Sequence, residues 1–370
     1  MNNDERFCSI ALRLCEGIGH IGAKRLINEM GSAAAVFANR QQLPDLIPGI
    51  NPQIVDILDN AEAFKRAEKE LKFMEEHRIT CLTLKDEAYP SRLRECEDAP
   101  AALFFRGEMD FNRLHIVSMV GTRRATEYGR QCCAEFVKEL AYLCPDVVIV
   151  SGLAYGIDIH SHREALANGL TTVAVLAHGL DRIYPQIHRK TAIDMMANGG
   201  LLTEYLTETN PDPFNFVERN RIIAGISDAT IVVESAIKGG SMITASLTNG
   251  YNRDCFAIPG RANDKFSKGC NWLIKENRAG LISCAEDFVK AMGWLEEFKK
   301  PETIQRNLFV DLTAEEKQIA EVLQQRGDLQ VNTLAVETNI PVYQLNSLLF
   351  NMEMKGVVKV LVGGVYHLLA

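Results

Sequence analysis

Residues 147–176, VVIVSGLAYGIDIHSHREALANGLTTVAVL, decide the fold. A β-branched run, Val147–Val150, breaks at a loop of glycine and small side chains, Ser151–Gly156. A helical pattern follows over Ile157–Asn168, and a second apolar run, Thr172–Leu176, closes the unit. Strands that are apolar throughout need cover on both faces, and a helix between two of them is the crossover of a parallel sheet. Outward from this unit the alternation repeats. Further strands are predicted at His115–Val120, Leu201–Tyr205, Thr230–Glu234, Cys255–Ile258 and Gly280–Ser283. Further helices are predicted at Thr126–Tyr142, Phe214–Ile226 and Ser241–Tyr251. The fold class is therefore α/β, with a doubly wound, mainly parallel sheet, and the segment 78–114 reads as a strand-and-loop lead-in to it.

Sequence character changes on both sides of the sheet. Residues 1–75 read as a small helical domain of the helix-hairpin-helix or SAM-like kind. Gly17-Ile18-Gly19-His20-Ile21-Gly22 is a glycine hairpin opening a helix, and Ile47-Pro48-Gly49-Ile50 is a looser copy. Such hairpins either aim backbone N–H groups at a phosphate or simply turn the chain; only Lys24 and Arg25 supply charge near the first. A charged helix at 61–77 leads into the sheet domain, 76–296. Residues 297–311 lack periodicity and read as a linker. Residues 312–370 read as three helices and then Val357–Val362, Gly363-Gly364 and Val365–Leu368, the winged-helix layout.

With 47% hydrophobic and 24% charged residues, the 370-residue chain is globular in composition and long enough for two or three domains. Its ten cysteines form no C-x-x-C pair, which points to reduced thiols in the cytoplasm rather than a disulfide framework or a zinc finger. No stretch reaches the roughly 18 apolar residues of a membrane span. The net charge of −8 is spread evenly: residues 1–100 carry 13 basic and 17 acidic side chains, 101–296 carry 20 and 22, and 312–370 carry 4 and 6. Affinity for a polyanion must then come from a local cluster and from backbone N–H groups.

Doubly wound sheets bind ligands beyond the carboxyl ends of their strands. Four predicted strand ends are rich in glycine: Val120-Gly121-Thr122-Arg123-Arg124, Ser151–Asp158, Lys238-Gly239-Gly240-Ser241 and Pro259-Gly260-Arg261. Glycine lets backbone approach a phosphate, and a following helix N-terminus favours its charge. The P-loop and G-x-G-x-x-G signatures are both absent, so no nucleotide cofactor is expected. Instead Arg123, Arg219, Arg221 and Lys238 are expected at loop or helix-start positions on one edge, with Phe214 and Phe216 as an aromatic platform beside them, the combination that single-strand binders use. The competing reading makes the phenylalanines core and pairs the arginines with Glu218 and Asp228. No catalytic site is expected, since Ser151 and Ser241 have no base beside them. His160 and His162 face different directions on their helix, so no metal is expected either. Asp158 is read as a helix cap or as an anchor for its loop.

These runs, taken in order, resemble the DNA-processing protein A (DprA/Smf) family. Gly121–Gly129 is similar to the family's first motif, and Ser151–Leu166 to S-G-x-A-x-G-I-D-x-x-A-H-x-x-A-L, with His162 on the family histidine. Gly179–Pro185, Phe216–Ser227, Lys238–Ala245 and Ile258–Gly269 through Asn271 complete the set. The resemblance implies an extended Rossmann-like domain that binds single-stranded DNA without catalysis and, as a homodimer, loads a RecA-family recombinase during natural transformation. It implies DNA contacts at Gly121, Thr122, Arg123, Gly152, Ala154, Gly156, Phe216, Arg219, Asn220, Arg221, Lys238, Gly240 and Ser241. The glycine loops add Arg124 and Arg261, and Asp158, His162, Gly260, Gly269 and Asn271 are expected to shape them. Tyr155 stands where a basic residue is common, Gly239 replaces a usual serine and Val217 a usual proline. Candidate dimer contacts are Cys255–Ile258 and Phe288–Leu295 with Trp294, unless Trp294 caps its own core. The main rival is a phosphoribohydrolase-like enzyme acting on nucleoside monophosphates. It lacks its carboxylate here, because Ala245, Ser246 and Leu247 follow Gly239–Thr244.

The tail is not expected to be the main DNA reader. Its third helix, Val342–Met354, contains no lysine or arginine. Asn346, Asn351 and Gln344 could donate to bases, but nothing on the helix would neutralise phosphates. Truncation after Val310 should leave single-strand affinity within a few-fold of the full chain. A loss of about two orders of magnitude from a truncated protein that still folds would reverse this reading.

Overall fold

The computed structural model describes residues 5–294, 312–361 and 364–369. The stretch read as a linker, 297–311, lies outside the described residues, as do Leu295, Val362 and Gly363. The chain divides into two compact units, Met1–Phe298 and Lys299–Ala370.

The first unit is built on nine strands: β1 (Thr80–Thr83), β2 (Ala102–Glu108), β3 (Ile116–Gly121), β4 (Val148–Ser151), β5 (Thr171–Val175), β6 (Gly199–Thr203), β7 (Ala229–Glu234), β8 (Asp254–Ala257) and β9 (Gly280–Leu281). Their order is β1-β2-β6-β5-β4-β3-β7-β8-β9. From β6 to β9 all neighbours are parallel, with Ile116 opposite Val148 and Val117 opposite Ala229 flanking the central strand. Segment 78–114 supplies the antiparallel pair β1–β2, and β2 lies antiparallel along β6. The central strands are apolar and buried along their length, because helices cover both faces of the sheet.

One face packs against the helices Glu127–Leu143 and Ala285–Ala291, through Phe136, Val137, Leu140 and Phe288. Trp294 belongs to this core. It is 7% exposed and stacks on His115 with 4.1 Å between ring centroids. Of the two sequence readings of Trp294, dimer contact or cap of its own core, the structure bears out the second, since the indole is covered within its own chain.

The other face shares one apolar core with the N-terminal helices, where Phe7, Ile10, Leu12 and Ile27 join Leu103, Val150 and Val173. The cations of the first glycine hairpin are engaged by backbone carbonyls of the chain itself. The Lys24 ammonium donates to the carbonyls of Arg94 (2.7 Å) and Cys96 (2.6 Å), and Arg25 donates to the Pro48 carbonyl (3.1 Å). These contacts join the helical front to the sheet domain and tie its two hairpins together.

The second unit contains the helices Ala314–Arg326, Val331–Thr338 and Val342–Met354, with a three-stranded antiparallel sheet of Leu329–Gln330, Val365–Leu368 and Val358–Leu361. This is compatible with a winged helix. Its core is Ile319, Leu323, Leu334, Leu345, Leu349 and Met352. The outer face of its third helix presents Tyr343, Phe350 and Met354.

A buried carboxylate locks the front onto the sheet. Glu204, just past β6, has no solvent exposure. It is paired with Arg221, with Arg13 at 3.5 Å and with His20 at 3.6 Å. Arg221 also donates to the Asp98 carbonyl at 2.6 Å. Burial pushes the Glu204 carboxyl up, but Arg13 and Arg221 outweigh it and hold the group below its usual range. Arg221 was expected on the DNA-facing edge beside a helix start. It lies instead in the middle of the helix Pro213–Ile226, 6% exposed, and its partner is Glu204 rather than Glu218 or Asp228. Asp228 pairs with Arg92.

Arg221→Ala should therefore act on stability, costing about 3–5 kcal/mol by leaving Glu204 short of compensation. Urea unfolding at neutral pH measures this, and a loss well under ~1 kcal/mol would show that Arg13 suffices. Because the folded Glu204 carboxyl titrates below its unfolded value, its contribution is complete above roughly pH 4.3 and is lost as pH falls through the folded value.

Candidate functional site

From β3 the chain lays down β4, β5 and β6 on one side, then returns to place β7, β8 and β9 on the other. The loops leaving β3 and β7 therefore diverge, and a crevice opens between them at the switch point. A cavity of about 520 Å³ occupies it.

One wall is the loop Gly121–Arg124. The Thr122 amide donates to the Glu234 carbonyl at 2.7 Å, and the Arg124 amide donates to the Thr122 hydroxyl at 3.1 Å. The Glu234 carboxylate then accepts from the amide (2.9 Å) and hydroxyl (2.6 Å) of Thr126. With the loop so pinned, Arg123 and Arg124 are exposed and make no ion pair among the described residues. Facing them is the loop after β7, where Lys238 is exposed and Gly240 begins the helix Gly240–Gly250. The unpaired amides of that helix end carry partial positive charge toward the cavity. Ser241 lines the cavity but is only 6% exposed, its hydroxyl donating to that of Ser235 at 2.7 Å.

The third wall is the helix Pro213–Ile226, which contributes Phe216, Arg219 and Asn220. The Arg123 guanidinium lies 4.8 Å from the Phe216 ring centroid, within cation–π range. Phe214 is 68% exposed and stands off the cavity wall.

Arg219 lines the cavity from beneath and is not a free phosphate ligand. It is 2% exposed and donates to the carbonyls of Gly152 (2.8 Å) and Val175, the ends of β4 and β5. The Asp158 carboxylate, 8% exposed, accepts from the Ala154 amide at 3.3 Å and faces Arg219. Burial pushes Asp158 up while Arg219 pulls it down, and burial lowers Arg219 to about 10, so the guanidinium stays cationic at neutral pH. Asp158 is thus a loop anchor and not a helix cap. Arg219 and Arg221 were both expected at a helix start, but the helix begins at Pro213, so both lie in its interior.

Gly152 and Gly156 also lie behind the cavity instead of lining it. Gly156 has φ +78°, and a Cβ there would sit 2.1 Å from the Thr122 carbonyl oxygen, so the β4 loop backs directly onto the β3 loop. Only Ala154 of that loop reaches the cavity, since Tyr155 leans edge-on against His188 at 5.1 Å. Arg261 and Gly260 line a neighbouring cavity of about 850 Å³, and Phe266 belongs to both. Asn271 brackets Gly260, accepting from its amide at 3.1 Å and donating to its carbonyl at 2.9 Å. Gly269 donates to the Ser235 carbonyl at 2.8 Å. His162 is buried, its Nδ1 bonded to the Thr172 hydroxyl at 2.7 Å, and burial pulls it down to about 3. It ties its helix to β5.

Sequence reasoning missed Tyr184, Pro211, Pro213 and Phe266 on the cavity wall, and Glu234 beneath it. Tyr184 and Phe266 left a signal, as aromatics of the runs Gly179–Pro185 and Ile258–Gly269.

The family described as DNA recombination-mediator protein A matches residues 80–293. The chain is 39% identical to the DNA processing protein DprA of Streptococcus pneumoniae over 206 residues, covering 55% of this chain and 71% of that protein. It is 31% identical to the protein Smf of Escherichia coli over 315 residues, covering 82% and 81%. Among solved structures, that of Streptococcus pneumoniae DprA superposes with a TM-score of 0.61 at 30% identity, covering 79% of this chain and 97% of the other. DNA processing protein A of Helicobacter pylori, described for its single-stranded DNA binding mode, superposes with a TM-score of 0.53 at 30% identity, covering 59% and 96%.

The packing beneath the cavity is testable at one atom. A methyl on Gly152 would lie 2.5 Å from Arg219 Nη2 and 2.7 Å from Asp158 Oδ2, so Gly152→Ala should destabilise the unit by about 1–3 kcal/mol. Gly240→Ala meets nothing within 4 Å and serves as the control in the same urea titrations. Equal stability of the two variants would mean that the β4 loop is slack.

Proposed function

Because this chain belongs to the DNA recombination-mediator protein A family, we propose that its crevice between β3 and β7 takes single-stranded DNA and that the chain passes the strand to a RecA-family recombinase. The observation that carries this reading is the composition of one cavity. Unpaired cations (Arg123, Arg124, Lys238) and a helix N-terminus line it beside the ring of Phe216. Phosphates suit the cations and the helix end, and base faces suit the ring. The bases of a duplex are stacked inside it and cannot reach such a ring, whereas a single strand can turn one inward. The related Helicobacter pylori protein is described as binding single-stranded DNA.

We read the chain as non-catalytic. Asp158 is the one carboxylate on that cavity wall among the described residues; burial holds it above its usual range, and the Ala154 amide and Arg219 engage it as the anchor of its loop. The nucleoside monophosphate reading lacks the carboxylate that its loop would carry after Gly239–Thr244. We also read the active species as a cytoplasmic homodimer, because two cavities related by symmetry hold one strand more tightly through effective concentration than one cavity does. All ten cysteines are thiols, which suits a reducing compartment, and no helix among the described residues is long and apolar enough to cross a membrane.

Fluorescence anisotropy with an oligothymidylate should show tighter binding than with a duplex of the same length. Arg123→Ala and Lys238→Ala should each weaken binding and flatten the slope of log K against log salt by up to about 0.7. Arg221→Ala, which touches no cavity atom, should leave that slope unchanged. Equal affinity for duplex and single strand would defeat the assignment.

A further inference from the structure

Tyr184 reaches the cavity from the loop after β5, far in sequence from the helix that carries Phe216. The two rings face each other with centroids 6.0 Å apart and planes inclined at 57°. Tyr184 is 45% exposed, so its ring can turn without leaving a void. Its backbone is held. The Tyr184 amide donates to His178 Nε2 at 3.3 Å, which leaves the His178 proton on Nδ1, facing the Gly179 carbonyl at 2.8 Å. His178 is fully buried, and its own carbonyl accepts from the Thr203 hydroxyl at 2.9 Å. A fixed backbone under a half-exposed ring makes an adjustable wall. Pro211 and Pro213 add apolar surface to the same cavity, and the Arg123 guanidinium, 4.8 Å from the Phe216 centroid, sets a cation beside the ring pair.

We propose that Tyr184 is the second wall of a base slot, and that one unpaired nucleobase enters between its ring and that of Phe216 while the adjoining phosphates lie against Arg123 and Lys238. This rests on the single-stranded DNA reading and adds a specificity residue to it. Aromatic planes in contact lie about 3.5 Å apart, so a base between two rings needs about 7 Å, and the slot opens by about 1 Å as Tyr184 turns parallel to Phe216. Both faces of the base are then covered. Every base has two such faces, so the slot selects unpaired bases without selecting sequence. A paired base is excluded because its neighbours in the duplex already occupy both faces.

The test uses the full chain and two six-nucleotide probes, oligothymidylate and a strand of abasic residues with the same phosphates. Wild type should prefer the thymidylate. Tyr184→Ala should lose on the order of tenfold to a hundredfold on thymidylate, with abasic affinity and the salt slope unchanged. Tyr184→Phe should retain the preference. Tyr184→Leu, which fills the same space without a π face and guards against a folding defect in the alanine variant, should lose it. Equal losses on both probes would make Tyr184 merely structural and overturn the proposal, as would a Tyr184→Leu protein with undiminished preference. Wild type binding both probes equally would remove the slot but keep single-stranded DNA binding. Wild type binding neither these probes nor a longer single strand would remove the underlying reading itself.

Discussion

One buried guanidinium holds the site together. Arg219 joins the carbonyls of Gly152 and Val175, so the ends of β4 and β5 and the helix Pro213–Ile226 meet at a single group. A buried cation is costly unless its donors are met and an anion stands near, and Asp158 is that anion. Two residues further along the helix, Arg221 makes the corresponding contact with Glu204. Residues two apart on a helix point about 200° away from each other. One arginine therefore fastens the helix to the sheet loops and the other to the helical front. Phe216 rides on this helix, so these two ion-assisted contacts and the buried isoleucines Ile222, Ile223 and Ile226 together set its height over the crevice.

The arrangement explains how a chain of net charge −8 can present a site for a polyanion. Long-range attraction is weak, and the buried arginines contribute little outward field because carboxylates compensate them. What remains at the crevice is local: Arg123, Arg124, Lys238 and the amides of one helix end. Arg123 lies over Phe216 at 4.8 Å, so the groups for phosphate and for base are in contact before any strand arrives. Such a site binds by contact, not by capture from a distance. This favours an assembly with more than one crevice, since each extra crevice adds contacts at high effective concentration.

The helical front is joined to the sheet domain by polar as well as apolar contacts. His20, Arg13 and Lys24 all reach groups of the sheet domain. The same holds for the charged helix Ala61–His77 before β1, where Glu70, 3% exposed, accepts from the Thr207 amide at 3.0 Å and hydroxyl at 2.7 Å. These contacts brace the segment between β6 and the Phe216 helix from behind, so the front shapes the crevice without touching it.

The parallel sheet was legible in the sequence because continuous apolar runs alternating with amphipathic stretches admit few other burials, and every predicted central strand lies within two residues of its place. The loops at the strand ends were legible for a similar local reason: glycine, arginine and lysine side by side at Gly121–Arg124 and Lys238–Ser241 bring both backbone access and charge. The fates of individual side chains were not legible. Arg123, Arg219 and Arg221 are chemically alike, yet one is exposed, one lies under a loop and one is locked to the front. Helix phase and the positions of Asp158 and Glu204, brought in by other segments of the chain, decided among them. Trp294 is covered by His115 and Phe288, and Tyr184 meets Phe216 because β5 ends, and the helix after β6 begins, on the same edge. Local sequence determines which groups are available and which segments are extended or helical. Burial and pairing depend on distant neighbours, and only the closed tertiary structure supplies those.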